Sequence, residues 1–207
     1  SDPSVEEKML ILQKQILMPK GLPLLATETE REHHFLRREL ASGVRLISPY
    51  CQMASTNFDC RNGVSGWGGT PEKRTVYIAN DYDMNSMLKS DGAVTKEYLE
   101  ARLLANMIRT MGDAVGGGVP FEEERANIEV NTSFQTNDEG VHAMALRGGG
   151  WMLCLPNLSR ESGTAEVKYN NEIFHLRVEG DRTRLLLLDV PMERWGYPSA
   201  SILWSAL

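Results

Sequence analysis

Cys60 and His142 are the residue types in this chain best suited to covalent chemistry. A cysteine nucleophile needs a base and a nearby positive charge to become thiolate. Arg61 follows Cys60, and His142 opens a strand pattern that ends in Gly148-Gly149-Gly150. Together they would make a cysteine-dependent hydrolase, with Cys60 as nucleophile and His142 as base. No local motif joins them, and a glycine-rich stretch follows Cys60 where a helix N-terminus would favour the thiolate. The plainer reading is a loop cysteine, free or bonded to Cys51, and an ordinary strand histidine.

Asp81-Tyr82-Asp83-Met84-Asn85 places side-chain oxygens at alternate positions, as the opening of a calcium loop does. Ser86 then stands where the turn glycine belongs, and Gly92 where the bidentate glutamate belongs. What remains is a strand end at which Asp81 and Asp83, helped by Asp59 or Asp91, could hold a divalent metal. The competing reading is a polar loop whose side chains cap its own backbone. Gly63 to Thr70 is rich in glycine, but no lysine follows and the next regular element is a strand, so packing around Trp67 is expected rather than a phosphate cradle. His33 and His34 point about 100° apart on a helix and cannot share one ion; a solvated face is expected there. Gly-x-Ser-x-Gly and CxxC are both absent, and no motif calls for a cofactor.

Three cysteines cannot form a complete disulfide framework. Cys51 and Cys60 lie on one irregular stretch that a bridge between them would tie down. Cys154 falls in a strand pattern.

The elements that must carry these residues begin with helix. Ser4 and Glu7 fit a capping box, and Val5, Met9, Leu12 and Ile16 then recur on one helical face. Leu10, Ile11, Leu17 and Met18 widen that face, and Pro19, Gly21 and Pro23 break the pattern. A second helix is expected from Thr27, capped with Glu30, to a stop at Gly43. Its dense charge implies one narrow packed stripe and an otherwise wet surface. Val44 to Ile47 reads as a short strand. Residues 49–74 show no period and form a long irregular loop. Thr75 to Ala79 reads as a strand. The longest helix runs from about Thr95 to Met111, with Leu99, Leu103, Met107 and Met111 on its apolar face, Leu104 and Ile108 beside them, and Gly112 closing it.

The remainder is β. Ile128, Val130, Thr132 and Phe134 alternate with polar residues, the mark of a half-buried strand. Turn signals at Asn137–Gly140, Gly148–Gly150, Asn170-Asn171 and Gly180-Asp181 separate further runs at 141–147, 150–155, 164–169, 172–179 and 183–190. Short gaps imply antiparallel neighbours. Leu185 to Leu188 is continuously apolar and should be covered on both faces.

The expected class is therefore α+β: a C-terminal antiparallel sheet of about six strands packed with one long helix, preceded by two N-terminal helices. Residues 1–43 form an N-terminal helical segment, a docking arm or layer, and 44–207 an α+β domain. The 207 residues carry 22 basic and 28 acidic side chains, net −6, with no basic stripe, which argues against nucleic acid as a partner. No apolar run approaches the 18 or so residues of a membrane span, and Ser1-Asp2-Pro3-Ser4 is polar with no signal-peptide pattern. These features point to a non-enzymatic protein-binding or assembly module that self-associates or joins a larger complex. Its contact residues would be Val5, Met9, Leu12 and Ile16, with Trp195 and Trp204 in the aromatic C-terminus. The alternatives are the Cys60–His142 hydrolase and a small-ligand carrier using a curved sheet face.

Overall fold

The computed structural model describes residues 8, 11–12, 14–56, 63–66, 76–79, 81–82, 85–120, 122–136, 142–193 and 196–203. The expectations for Ser4, Glu7 and Trp67 fall outside them. The chain divides into two compact units, Ser1–Pro49 with Glu100–Leu207, and Tyr50–Leu99. The class is α+β, with one long helix, short N-terminal helices and antiparallel C-terminal strands. Among the described residues no helix is long and apolar enough to cross a membrane.

The first unit opens with helical residues at 8, 11–12 and 14–17, followed by a 3-10 turn, Met18–Lys20. Pro19 and the left-handed Gly21 stop it, as the Pro/Gly break predicts. Strand β1 (Leu24–Thr29), helix α1 (His33–Ala41) and strand β2 (Val44–Pro49) follow, and the two strands pair in parallel. The expected helix from Thr27 is thus corrected: Thr27 lies in a strand and the helix begins six residues later. The Thr27–Glu30 spacing is not used as a cap; the neighbouring Thr29 hydroxyl instead donates to the Glu39 carboxylate on α1. Gly43 ends the helix as expected, at φ +89°, with Pro120 Cγ only 2.6 Å from where a Cβ would stand.

The wet surface expected on this helix is also corrected. His33, Phe35, Leu36, Arg37, Arg38, Glu39, Leu40 and Ala41 are all buried. Helix α1 packs against β1 and β2 and also against β8, β9 and β12 of the C-terminal strands. Its charges tolerate burial because ionic and hydrogen-bond partners accompany them.

In the second unit, β3 (Ser55–Thr56) pairs with β6 (Asp81–Tyr82), and β4 (Gly63–Gly66) with β5 (Val76–Ala79). Strand therefore runs through part of the stretch that shows no period in sequence. Ser86 is wholly buried and its hydroxyl donates to the Leu88 carbonyl at 2.6 Å. Thr95 caps helix α2 (Lys96–Gly116), accepting from the Tyr98 N–H and donating to Met87 O.

Helix α2 departs from expectation in two ways. It runs past Gly112 to Gly116, with non-helical geometry at Met111 marking a kink. Its buried positions are Glu100, Leu104, Met107 and Val115, while Leu99 is half exposed. The buried face keeps Met107 and Leu104 of the expected apolar side but takes in Glu100 rather than Leu99, because Glu100 goes inward to an ionic partner.

A one-turn helix α3 (Glu123–Ala126) leads into the strands β7 (Ile128–Thr132), β8 (His142–Ala145), β9 (Trp151–Asn157), β10 (Gly163–Tyr169), β11 (Glu172–Val178), β12 (Arg182–Pro191) and β13 (Ser199–Leu203). All six strand runs read from the sequence are present. Together with β13, which lies beyond those runs, they divide into two antiparallel sheets, ordered β11-β10-β7 and β13-β12-β9-β8. Ala143, Leu153, Leu155, Leu186 and Leu188 of the larger sheet share one core with Ala165, Val167, Leu176 and Val178 of the smaller. Met144, Met152, Cys154, Leu185 and Leu187 alternate with the core residues and are also buried, on the face where α1 packs. The double cover expected for Leu185–Leu188 is therefore present.

The chain changes sheet at one corner. Residues 158–162 lead from β9 to β10, and 179–181 from β11 back to β12. The buried Asn157 holds them: its Nδ2 donates to Glu161 O at 2.9 Å and Val178 O at 3.1 Å, and its Oδ1 accepts from Ser159 N at 2.9 Å. Gly180 lies so close to the facing segment that a Cβ there would fall 2.0 Å from Arg160 O.

Candidate contact surface

The β1–β2 ribbon has two unlike faces. Leu24 and Val44 are register partners, both buried, with Leu17, Ala26 and Ile47 packed against them. Leu25 and Leu46 are also register partners, and they are 45% and 46% exposed. On β1 alternation turns Leu25 away from Leu24, and on β2 the register shift between the two pairs leaves Leu46 exposed two residues after the buried Val44. Parallel ladders are ordinarily covered on both faces, because crossover helices lie over them. Here α1 supplies one cover, and the leucine pair marks a face left half open.

Leu12 and Ile16 are each about half exposed on the N-terminal helical residues, four positions apart and so on one helical face. Leu17 turns the other way, into the ribbon. Lys14 Nζ donates to Pro120 O at 2.7 Å and anchors this segment within the first unit. Leu22, after the 3-10 turn, is half exposed as well. Five large aliphatic side chains between positions 12 and 46 thus lie open among the described residues. Covering such half-exposed side chains is worth about 1 kcal/mol each.

Beneath the ribbon lies a set of buried charges. Arg37 Nη2 contacts Glu100 Oε2 at 2.8 Å, and Arg37 Nη1 donates to Thr183 O at 2.6 Å. Arg182 Nη1 reaches the other Glu100 oxygen at 2.5 Å. One carboxylate therefore joins guanidiniums from α1 and β12. Burial pushes the Arg37 guanidinium below its ordinary range, and the Glu100 charge opposes that shift. Arg45 is also pushed down by burial, while its Nη2 donates to Gly118 O at 2.6 Å. This arrangement fixes α1 between its neighbours. Its members lie 63 and 82 residues apart, so no local spacing announces them.

Of the residues singled out in the sequence, Leu12 and Ile16 lie on the open surface. Val5, Met9, Cys60, Asp83, Trp195 and Trp204 fall outside the described residues. His142 stands at the start of β8, with Cys154 as its register partner. Asp81 stands in β6 opposite Thr56. Cys51 is a free thiol whose Sγ lies 3.2 Å from the Met53 carbonyl oxygen. Among the described residues no three His, Cys, Asp or Glu side chains group as a metal site. His33, expected on a solvated face, is buried. Leu25 and Leu46 were not among the sequence candidates. The pairing of β1 with β2 is the signal that finds them, and it follows only once β1 is recognised as a strand.

No protein-family model matches this chain, and no curated protein matches it.

Proposed function

We propose that this chain is a non-enzymatic protein-binding or assembly module whose contact surface includes Leu12, Ile16, Leu25 and Leu46. The observation that carries the reading is the half-open Leu25–Leu46 pair on one face of a two-stranded parallel ribbon. Leu25 and Leu46 adjoin as register partners, and adjoining exposed aliphatics mark contact sites more often than isolated ones do. Thr27 and Glu28, exposed further along β1, suit a polar rim around an apolar centre. A partner protein or a further copy of the chain would complete the ribbon's cover.

The test is the double variant Leu25→Lys with Leu46→Lys in the full chain. The native chain should bind an apolar dye such as ANS or form assemblies seen by light scattering, and the variant should lose that property by about threefold or more at an unchanged melting temperature. A native chain that is monomeric and dye-silent, together with a variant that melts several degrees lower, would show that the leucines serve the chain's own core and would overturn the reading.

A further inference from the structure

Strand β11 forms one edge of the three-stranded sheet. All seven of its residues pair with β10 without a register break, and among the described residues no strand lies on its other side. Both edges of the larger sheet are blunted. β13 meets β12 across an irregularity between Leu187 and Val190, and β8 exchanges backbone hydrogen bonds with Val119 and accepts another from Glu122 on its outer side. β11, Glu172-Ile-Phe-His-Leu-Arg-Val178, contains no proline, no lysine and no bulge, and Ile173 is 55% exposed on it. A regular edge of this kind is a template for another strand.

We propose that β11 joins two copies of this chain, antiparallel about a two-fold axis at His175, into one continuous six-stranded sheet. Three constraints select the occupant and the register. Core-facing residues must meet core-facing residues, so any shift must keep Phe174, Leu176 and Val178 on the inner side. Centring on His175 pairs all seven residues. Centring on Leu176 would leave Glu172 and Ile173 unpaired. Centring on Phe174 would leave Arg177 and Val178 unpaired.

In the selected register Phe174 meets the second copy's Leu176, which extends the inner core across the axis. On the outer side Ile173 meets the aliphatic stem of the second copy's Arg177. Glu172 meets the second copy's Val178 and Arg177 its Ile173, so no carboxylate faces a carboxylate and no guanidinium a guanidinium. Each His175 has its own Glu166 on β10, Nδ1 to Oε2 at 3.9 Å, and Lys168 lies 3.9 Å from that same carboxylate. The axis is thus a row of Glu, His, His and Glu across four strands. This is an isologous contact, closed at two copies. It stands on a different element from the N-terminal leucines.

Sedimentation equilibrium of the full chain at pH 8, from about 1 to 100 µM, reads the dimer directly, since a single strand edge fits a micromolar interaction. His175→Glu puts two extra carboxylates across the axis, and Ile173→Arg sets arginines opposite each other twice. Each should raise the dissociation constant about tenfold or more while leaving the melting curve unchanged, both side chains being solvent-facing. A native chain that stays monomeric at 100 µM overturns the proposal and leaves the N-terminal contact surface to its own dye readout. A dimer that persists in both variants but is lost with Leu25→Lys and Leu46→Lys overturns the β11 pairing and upholds the N-terminal one.

Discussion

Glu100 and Arg37 meet at 2.8 Å in the interior of the first unit, a carboxylate from α2 holding a guanidinium from α1. Neither is free to hydrate, and Arg182 completes the group from β12. Removing the carboxylate leaves two guanidiniums without their counter-charge. Glu100→Gln should therefore lose about 3 kcal/mol or more of stability, read from the urea midpoint. The triple variant Arg37→Met, Glu100→Leu, Arg182→Met should recover most of that loss, because it removes the charges together. A Glu100→Gln midpoint equal to the native one would refute this account.

The corner between the sheets predicts a second cost. Gly180→Ala forces a methyl against Arg160 O, and relief requires two backbone segments to part. The expected loss is about 1–3 kcal/mol. Asn157→Leu should cost a similar amount, since it leaves the Ser159 N–H and two carbonyls without that partner. Thermal denaturation of both variants checks this.

Tyr169 supplies a pH dependence. It is buried in the shared core, and burial, then the Asp189 charge, push its phenol above the ordinary 10.0. A folded-state value above the unfolded one favours the protonated form in the native chain. Its contribution is complete below pH 10 and is lost as pH rises through the folded value. Stability measured by urea between pH 8 and 11.5 should fall over the upper part of that range. In Tyr169→Phe the fall should be shallower; an unchanged slope would place its origin elsewhere.

Thiol reactivity should separate the cysteines. Cys154 is fully buried in β9, so its alkylation waits for unfolding, whereas Cys51 is partly exposed and should label in the native chain. Unfolded and unreduced, the chain should titrate three thiols. A count of one would establish the bridge between Cys51 and Cys60.

What could be read beforehand was decided by range. Ile128 to Thr132 alternates because its two faces meet core and water within five residues, and the Asn170-Asn171 turn is written in residues that accept a positive φ, 54° at Asn170. Such signals are local and survive without knowledge of the fold. Leu12 and Ile16 were recognisable as one helical face for the same reason. β1 was hidden because its partner is parallel and lies beyond a helix, so its register shows only after α1 is placed. The burial of Arg37 was hidden because its counter-charge is 63 residues away. Leu25 and Leu46 cannot be paired from the sequence while the residues from Thr27 onward read as a helix, which hides β1. The split into two sheets was hidden because the corner that makes it depends on Asn157, a polar side chain whose partners lie across the fold.

The burial of α1 also bears on how the chain is made. Leu36 and Leu40 sit in a helix that packs on β9 and β12, and the last of these begins at Arg182. At ordinary rates of synthesis the ribosome needs on the order of ten seconds to travel from one to the other. Until then the helix lacks its strand platform, Arg37 lacks the Thr183 carbonyl and Glu100 lacks Arg182, while the leucines of the ribbon stand bare. A nascent chain in this interval exposes an apolar segment with basic residues along it, a pattern suited to capture by a holding chaperone. Completion of the first unit is therefore tied to late translation, and truncation before β12 leaves the N-terminal third without the surface that shelters it.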